Sequence, residues 1–472
     1  MRALISPHTF GGTVTVPASK SHTIRRLLMA SLCNGISRIE NPLESLDTQS
    51  CADACRVLGA EITEESGDPR RWIVRGRKPG PAPEPAGAAE PGPAPEPRRI
   101  DVGNSGTTLF LALAAAALGT APLTFTGDKQ IARRSAGPLL DALEALGIRV
   151  DSNGGCTPIT VRGPWRGGGV SISCPTSQYL SALLIAAPLA PRGAVSAIEV
   201  PLLNEKPYVD MTLLYLKKQG LLNTGNGPGI SSMEAYSRFR INGGAAYTPI
   251  NGPVPGDFSS AAFPAAGAVI SGGEINLQGL DPEDPQGDKV FFDHLVTMGC
   301  KVEWEKPGGP GGGNSWQLRV SCPGPLRGGT FDLNGAPDLL PVMAVLAASA
   351  KGETALVNVA HARIKETDRI AAMAAELGKL GVHCREKPDG LFIKGAAWKE
   401  KHNAERKKPQ AGARQTKTPP SLDGRGDHRI VMALACAALG LPARQITEIH
   451  GSEAADISYP GFLALLKARC YT

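Results

Sequence analysis

Six times along the chain a small or polar helix-entry stretch runs into an Ala/Leu-rich segment, and this internal repeat restricts the chain to architectures assembled from copies of one α/β unit. The six segments are SKSHTIRRLLMASL, NSGTTLFLALAAAAL, SQYLSALLIAAPLA, SSAAFPAAGAVI, PDLLPVMAVLAAS and DHRIVMALACAAL, spaced roughly 70 to 90 residues apart. Most are followed by a glycine and a β-type run, as in LGTAPLTFTG and KGETALVNV, which reads as helix, C-terminal glycine cap and strand. A second helix closes each copy; TQSCADACRVLGAEI, AGPLLDALEALGIRV and ETDRIAAMAAELGKLGVHC show the i, i+3, i+4 apolar spacing of an amphipathic helix. Six copies in 472 residues predict two domains of three copies each. The Ala-rich first helices have the small side chains that allow burial on all sides. The competing reading is an ordinary α/β protein whose Ala-rich helices resemble one another by chance.

Bulk properties exclude several functions. A net charge of +6, with Lys and Arg dispersed, argues for small anionic ligands rather than nucleic acid. Ten cysteines without a CxxC pair or clustered histidines predict reduced thiols and no metal site. The opening MRALISPHTFGGTVTVP lacks a signal pattern and no apolar run approaches the ~20 residues needed to span a bilayer. The expectation is a soluble, cytoplasmic protein without a membrane partner. Three stretches break the repeat and read as flexible inserts: the Pro/Ala/Glu-rich 79–97, the Gly-rich 306–315 and the basic 399–420.

Three of the first-type helix starts carry anion-binding features. In PASKSHTIRR, Lys20 and Ser21 stand at a helix entry and Arg25 follows Ser21 by four residues, so backbone amides, the helix dipole, a hydroxyl and two cations face one anion. In VGNSGTT, Gly103 and Gly106 permit a tight turn and Thr107 is a candidate helix cap. GRGDHRI puts Arg429 beside Asp427 and His428, where a structural salt bridge is the plainer explanation. RIKETDRI predicts Lys365, Glu366 and Arg369 at the start of the fifth second-type helix. Two cations four apart on one face repel unless an anion sits between them, although Asp368 and Glu366 also stand ready to neutralise them locally.

Taken in order, PASKSHTIRR, GNSGTT, TSQYLSALL, KPYVDMT, PGDFSSAAF, PDLLPVMA, RIKETDR and GDHRIVMA resemble the EPSP synthase family of enolpyruvyl transferases from one end of the chain to the other. That resemblance implies an inside-out α/β barrel fold of two domains, three βαβαββ units each, with the active site between them. It places residues 20–255 in one domain and 1–19 plus 256–472 in the other. It implies transfer of the enolpyruvyl group of phosphoenolpyruvate to the 5-hydroxyl of shikimate 3-phosphate by addition and elimination, in a monomer needing no cofactor and no metal. The shikimate 3-phosphate residues it implies are Lys20, Ser21, Arg25, Thr176, Ser177, Gln178, Tyr208, Asp338, His361 and Lys365. For phosphoenolpyruvate they are Lys20, Asn104, Gly106, Arg134, Gln178, Arg369 and Arg429, a set whose Arg forks suit carboxylate and phosphate. Asp338 would deprotonate the hydroxyl, Glu366 would handle the methylene proton, and Lys20 would assist both.

Departures from the family pattern are specific. Phe110 stands where an Arg is usual, and Ile457 where a Lys precedes the S-Y-P stretch; Arg133 and Lys129 are basic residues available nearby. Glu205 and His361 replace what are more often Ser and Asn in the shikimate phosphate site. The absence of two cations keeps open a non-catalytic relative that binds phosphorylated carboxylates. A UDP-N-acetylglucosamine enolpyruvyl transferase would need a reactive Cys in the region TGDKQIARRSAG, which has none.

Overall fold

The computed structural model describes residues 1–77, 98–306, 308, 316–395, 420–441 and 446–468. The inserts expected at 79–97, 306–315 and 399–420 lie, apart from a few flanking positions, outside the described residues. The chain divides into two compact units, an internal one of Lys20–Val254 and a terminal one of Met1–Ser19 with Pro255–Thr472.

Each unit contains three small sheets; five of the six place two parallel strands, then an antiparallel third and an antiparallel fourth, and the sixth has three strands among the described residues, a parallel pair and one antiparallel. The simplest copy is Arg98–Asp101, Leu123–Thr126, Cys156–Arg162 and Arg149–Asn153, paired in that order. Chain order through it is strand, helix Gly106–Ala116, strand, helix Gly137–Ala145, then two strands, which is one βαβαββ unit. The crossover helices account for the parallel pair, and the closing hairpin for the antiparallel strands. The third and fifth copies are likewise continuous.

Three copies are completed from elsewhere in the chain. The first sheet takes its opening strand from Asn251–Pro253, at the far end of the internal unit. The fourth takes Gly12–Thr15 as its opening strand, and Arg2–Ile5 pairs with Thr447–His450 in the sixth. The N-terminal segment is thereby built into the terminal unit through two sheets.

The first-type helices sit inside. In the terminal unit, Phe258–Ser271, Leu340–Ser349 and His428–Leu439 pack on one another, and every residue of the last is buried. In the internal unit, Gly106–Ala116 packs against both Lys20–Ser31 and Ser177–Ala186. Ala side chains on these helices let backbones approach closely, and the sheets meet the helix ends at glycines. A Cβ on Gly76 would lie 2.1 Å from the Ala30 carbonyl oxygen, and one on Gly163 2.4 Å from that of Ala117, so the copies require glycine where strand meets helix.

Polar entry residues cap the helices as their types predict: Ser105, Thr176, Asp257, Asp368 and Asp427 each accept a backbone N–H of the first turn. Two expectations need correction. Ser105, not Thr107, caps the Gly106 helix. The fifth second-type helix begins at Arg369, so Lys365 and Glu366 precede it in extended and turn backbone and share no helical face with Arg369. Asp368 wins the N-cap because a short carboxylate satisfies the free amide of Ala371. Among the described residues no helix is long and apolar enough to cross a membrane.

Candidate functional site

In the terminal unit, three basic side chains from two segments converge on the carboxylate of Asp338. Arg369 Nη1 lies 2.6 Å from Oδ1, Lys365 Nζ 3.8 Å from the same oxygen, and Arg429 Nη2 2.9 Å from Oδ2. The anion between Lys365 and Arg369 is therefore a protein carboxylate, reached through tertiary structure. Burial favours the neutral acid at Asp338, but Arg429, Lys365 and Arg369 together overcome it and hold the group far below the ordinary carboxylate range.

Arg369 is the keystone. Its residue is 0% exposed, and its guanidinium meets Asp427 through Nε (2.8 Å) and Nη2 (3.3 Å), Glu366 through Nη2 (2.6 Å) and Asp338 through Nη1. Burial pulls its pKa down, yet Asp427, Glu366 and Asp338 more than reverse that and set it well above the usual value. Arg369 reaches a ligand only if these carboxylates rearrange. Asp427 also accepts the amide of Arg429 at 2.9 Å, while Arg429 Nη1 donates to Ser259 Oγ. His361, buried, has Nε2 3.1 Å from the Asn334 carbonyl oxygen.

In the internal unit, Lys20 at the first helical position donates to Asp47 at 2.9 Å; the two side chains are 13% and 7% exposed. Arg25 is buried, with Nε donating to Thr212 Oγ1 (2.9 Å) and its terminal nitrogens to the carbonyls of Ser21 and Tyr208 and to Ser181 Oγ. Burial lowers its pKa to about 10, against the pull of Tyr215, Tyr208 and Glu205. Gln178 Nε2 donates to Thr107 Oγ1 at 3.2 Å, tying the SQ and NSGT helix starts together. Asn104 donates to Gln130 Oε1. Gly103 has a left-handed φ of 55°, whereas Gly106 matters for space: a Cβ there would stand 2.3 Å from Arg134 Nη1.

Both departures are filled by packing. Phe110 is 5% exposed and meets Tyr179 edge-on with centroids 5.0 Å apart, and burial raises the Tyr179 phenol to about 12. Ile457 packs against the terminal unit's core. The sequence reading missed Asp47, Ser181, Thr212 and Ser259 as partners of the basic residues. Each lies on another copy or another helix of the repeat, and no local motif announces it.

The predicted residues thus form two sets, one in each unit, rich in cations held by carboxylates and hydroxyls. The family model for EPSP synthase (3-phosphoshikimate 1-carboxyvinyltransferase) matches residues 6–466. The 3-phosphoshikimate 1-carboxyvinyltransferase of Acetivibrio thermocellus is 43% identical over 462 residues, covering 97% of this chain and 96% of the relative. That of Halobacterium salinarum is 38% identical over 474 residues, covering 99% and 98%. A solved EPSP synthase of Acinetobacter baumannii superposes with a TM-score of 0.73 at 24% identity, covering 100% of this chain and 98% of that one, a likeness of fold.

Proposed function

Since the chain belongs to the EPSP synthase family, we propose that it transfers the enolpyruvyl group of phosphoenolpyruvate to the 5-hydroxyl of shikimate 3-phosphate, releasing phosphate. The observation that carries the mechanism is Asp338 ringed by Arg369, Arg429 and Lys365. Asp338 takes the proton of the 5-hydroxyl as its oxygen bonds to C2 of the enolpyruvate. The C3 methylene gains a proton from Glu366, which takes it up as Arg369 turns from it to phosphoenolpyruvate, with Lys20 assisting. Elimination then returns a methyl proton to Glu366 and breaks the bond from C2 to the phosphate oxygen, the phosphate leaving with the proton that Asp338 took.

A carboxylate with three cations on it is a weak base. Phosphoenolpyruvate offers competing carboxylate and phosphate groups, and as Arg429 and Arg369 turn to them Asp338 regains basicity. Arg134, Gln178, Asn104 and Gly106 complete the phosphoenolpyruvate set. Ser21, Arg25, Thr176, Ser177, Tyr208, His361 and Lys365 serve shikimate 3-phosphate. With its guanidinium occupied by internal acceptors, Arg25 acts by its charge and by holding the Ser21 and Tyr208 backbone. Residues of both units carry these roles in a single chain acting as a monomer.

Purified protein supplied with both substrates is expected to release phosphate only when shikimate 3-phosphate is present, not with UDP-N-acetylglucosamine, and Asp338→Ala is expected to abolish release. Shikimate 3-phosphate binding without release would instead identify a non-catalytic relative. Gly106→Ala tests the phosphoenolpyruvate set. Because the methyl group collides with the Arg134 guanidinium, KM for phosphoenolpyruvate should rise about tenfold or more. KM for shikimate 3-phosphate and the melting temperature should hardly change; an unaltered phosphoenolpyruvate KM would remove Arg134 from the site.

A further inference from the structure

Glu205 is 2% exposed and lies between the donors assigned above to the phosphorylated acceptor. Its Oε2 accepts from the Thr176 hydroxyl at 3.0 Å, the Ser177 amide at 3.0 Å and the Ser177 hydroxyl at 2.9 Å. Those groups form the entry of the Ser177–Ala186 helix, where amides and dipole favour an anion. A hydroxyl proton donated to Glu205 is not available to a second acceptor. The carboxylate is held there by unusual backbone: Glu205 has φ 57° and ψ 39°, a left-handed conformation uncommon for residues other than Gly, Asn and Asp. Arg25 also senses this charge, since Glu205 acts to raise its pKa. The arrangement is an anion cradle already filled by an anion from the next helix start.

Resting on the assignment of Thr176 and Ser177 to the acceptor, we infer that Glu205 is a built-in occupant of the acceptor-phosphate cradle, so that the phosphorylated acceptor binds by displacing a carboxylate. The residue sets the affinity for the phosphate group and leaves the chemical step alone. Two like charges cannot share three donors at hydrogen-bond distance, so Glu205 swings out when the phosphate enters and returns when it leaves. Binding of the phosphate therefore carries a penalty that an unphosphorylated acceptor escapes.

The test is calorimetric titration of wild type, Glu205→Gln and Glu205→Asn with shikimate 3-phosphate, shikimate and inorganic phosphate, below each protein's melting temperature. Gln keeps an acceptor without the charge; Asn is shorter and tolerates the left-handed backbone. Both variants should bind shikimate 3-phosphate about tenfold more tightly. They should bind inorganic phosphate measurably better and shikimate as wild type does, with KM for the acceptor lowered and that for phosphoenolpyruvate unchanged. Weaker or unchanged shikimate 3-phosphate binding in both variants, or an equal change for shikimate, overturns the inference. If inorganic phosphate binding improves while no protein releases phosphate from the substrate pair, the cradle stands and the reaction assigned above falls.

Discussion

Replacing Asp338 with asparagine is expected to lower kcat for phosphate release by roughly a thousandfold, the contribution of a positioned general base. KM for phosphoenolpyruvate should not rise, because the substitution frees Arg429, Lys365 and Arg369 from a competing carboxylate. Steady-state phosphate release measures both; a fall in kcat below tenfold would assign the hydroxyl proton to another group. The same variant changes the acid response of stability. The folded pKa of Asp338 is depressed, so its ion pairs contribute fully above the unfolded carboxylate value near ~4 and are lost as pH falls below it. Wild type should thus lose stability more steeply than Asp338→Asn on acidification below about pH 4, as read by denaturant titration at each pH.

Arg369→Ala is expected to be the most destabilising single change in the terminal unit, by about 3–5 kcal/mol, because it leaves Asp427, Glu366 and Asp338 without their shared buried cation. Arg369→Lys should recover only part of this loss, since one ammonium cannot reproduce a fork bonded to three carboxylates. The deficit in Arg369→Ala should shrink toward acid pH. Asp338 keeps Arg429 and Lys365, but Asp427 and Glu366 are left as buried negative charges without the guanidinium, and acid that neutralises them relieves the penalty, so the variant loses stability relative to wild type as pH rises. Thermal unfolding of both variants at two pH values checks this, and a shift equivalent to less than about 1 kcal/mol would refute the keystone role.

Phe110 and Ile457 illustrate how a missing cation is made good in packing without being replaced as a charge. Phe110 gains an edge-on contact with Tyr179, and Ile457 packs against the core, so neither position is decaying structurally. In the proposed site the cations left for phosphoenolpyruvate are Lys20, Arg134, Arg369 and Arg429, which makes the Gly106→Ala and Asp338→Asn results the more informative.

The repeat, the entry residues of its helices and the family were legible in the sequence because they are written in local patterns. The apolar period sets each helix, Ser, Thr and Asp set its start, and PASKSHTIRR, RIKETDR and DHR carry side chains that anion chemistry requires. Tertiary structure alone decided how those side chains are paired. Lys365 and Arg369 looked like neighbours on a helix, yet the helix starts at Arg369, and they meet instead on Asp338, far back in the chain. Lys20 finds Asp47 on the following helix, and Glu205 swings from one helix start onto the donors of another. Charge pairing depends on distance in space and on burial, which weakens or strengthens it severalfold, and neither is encoded within a short window of residues.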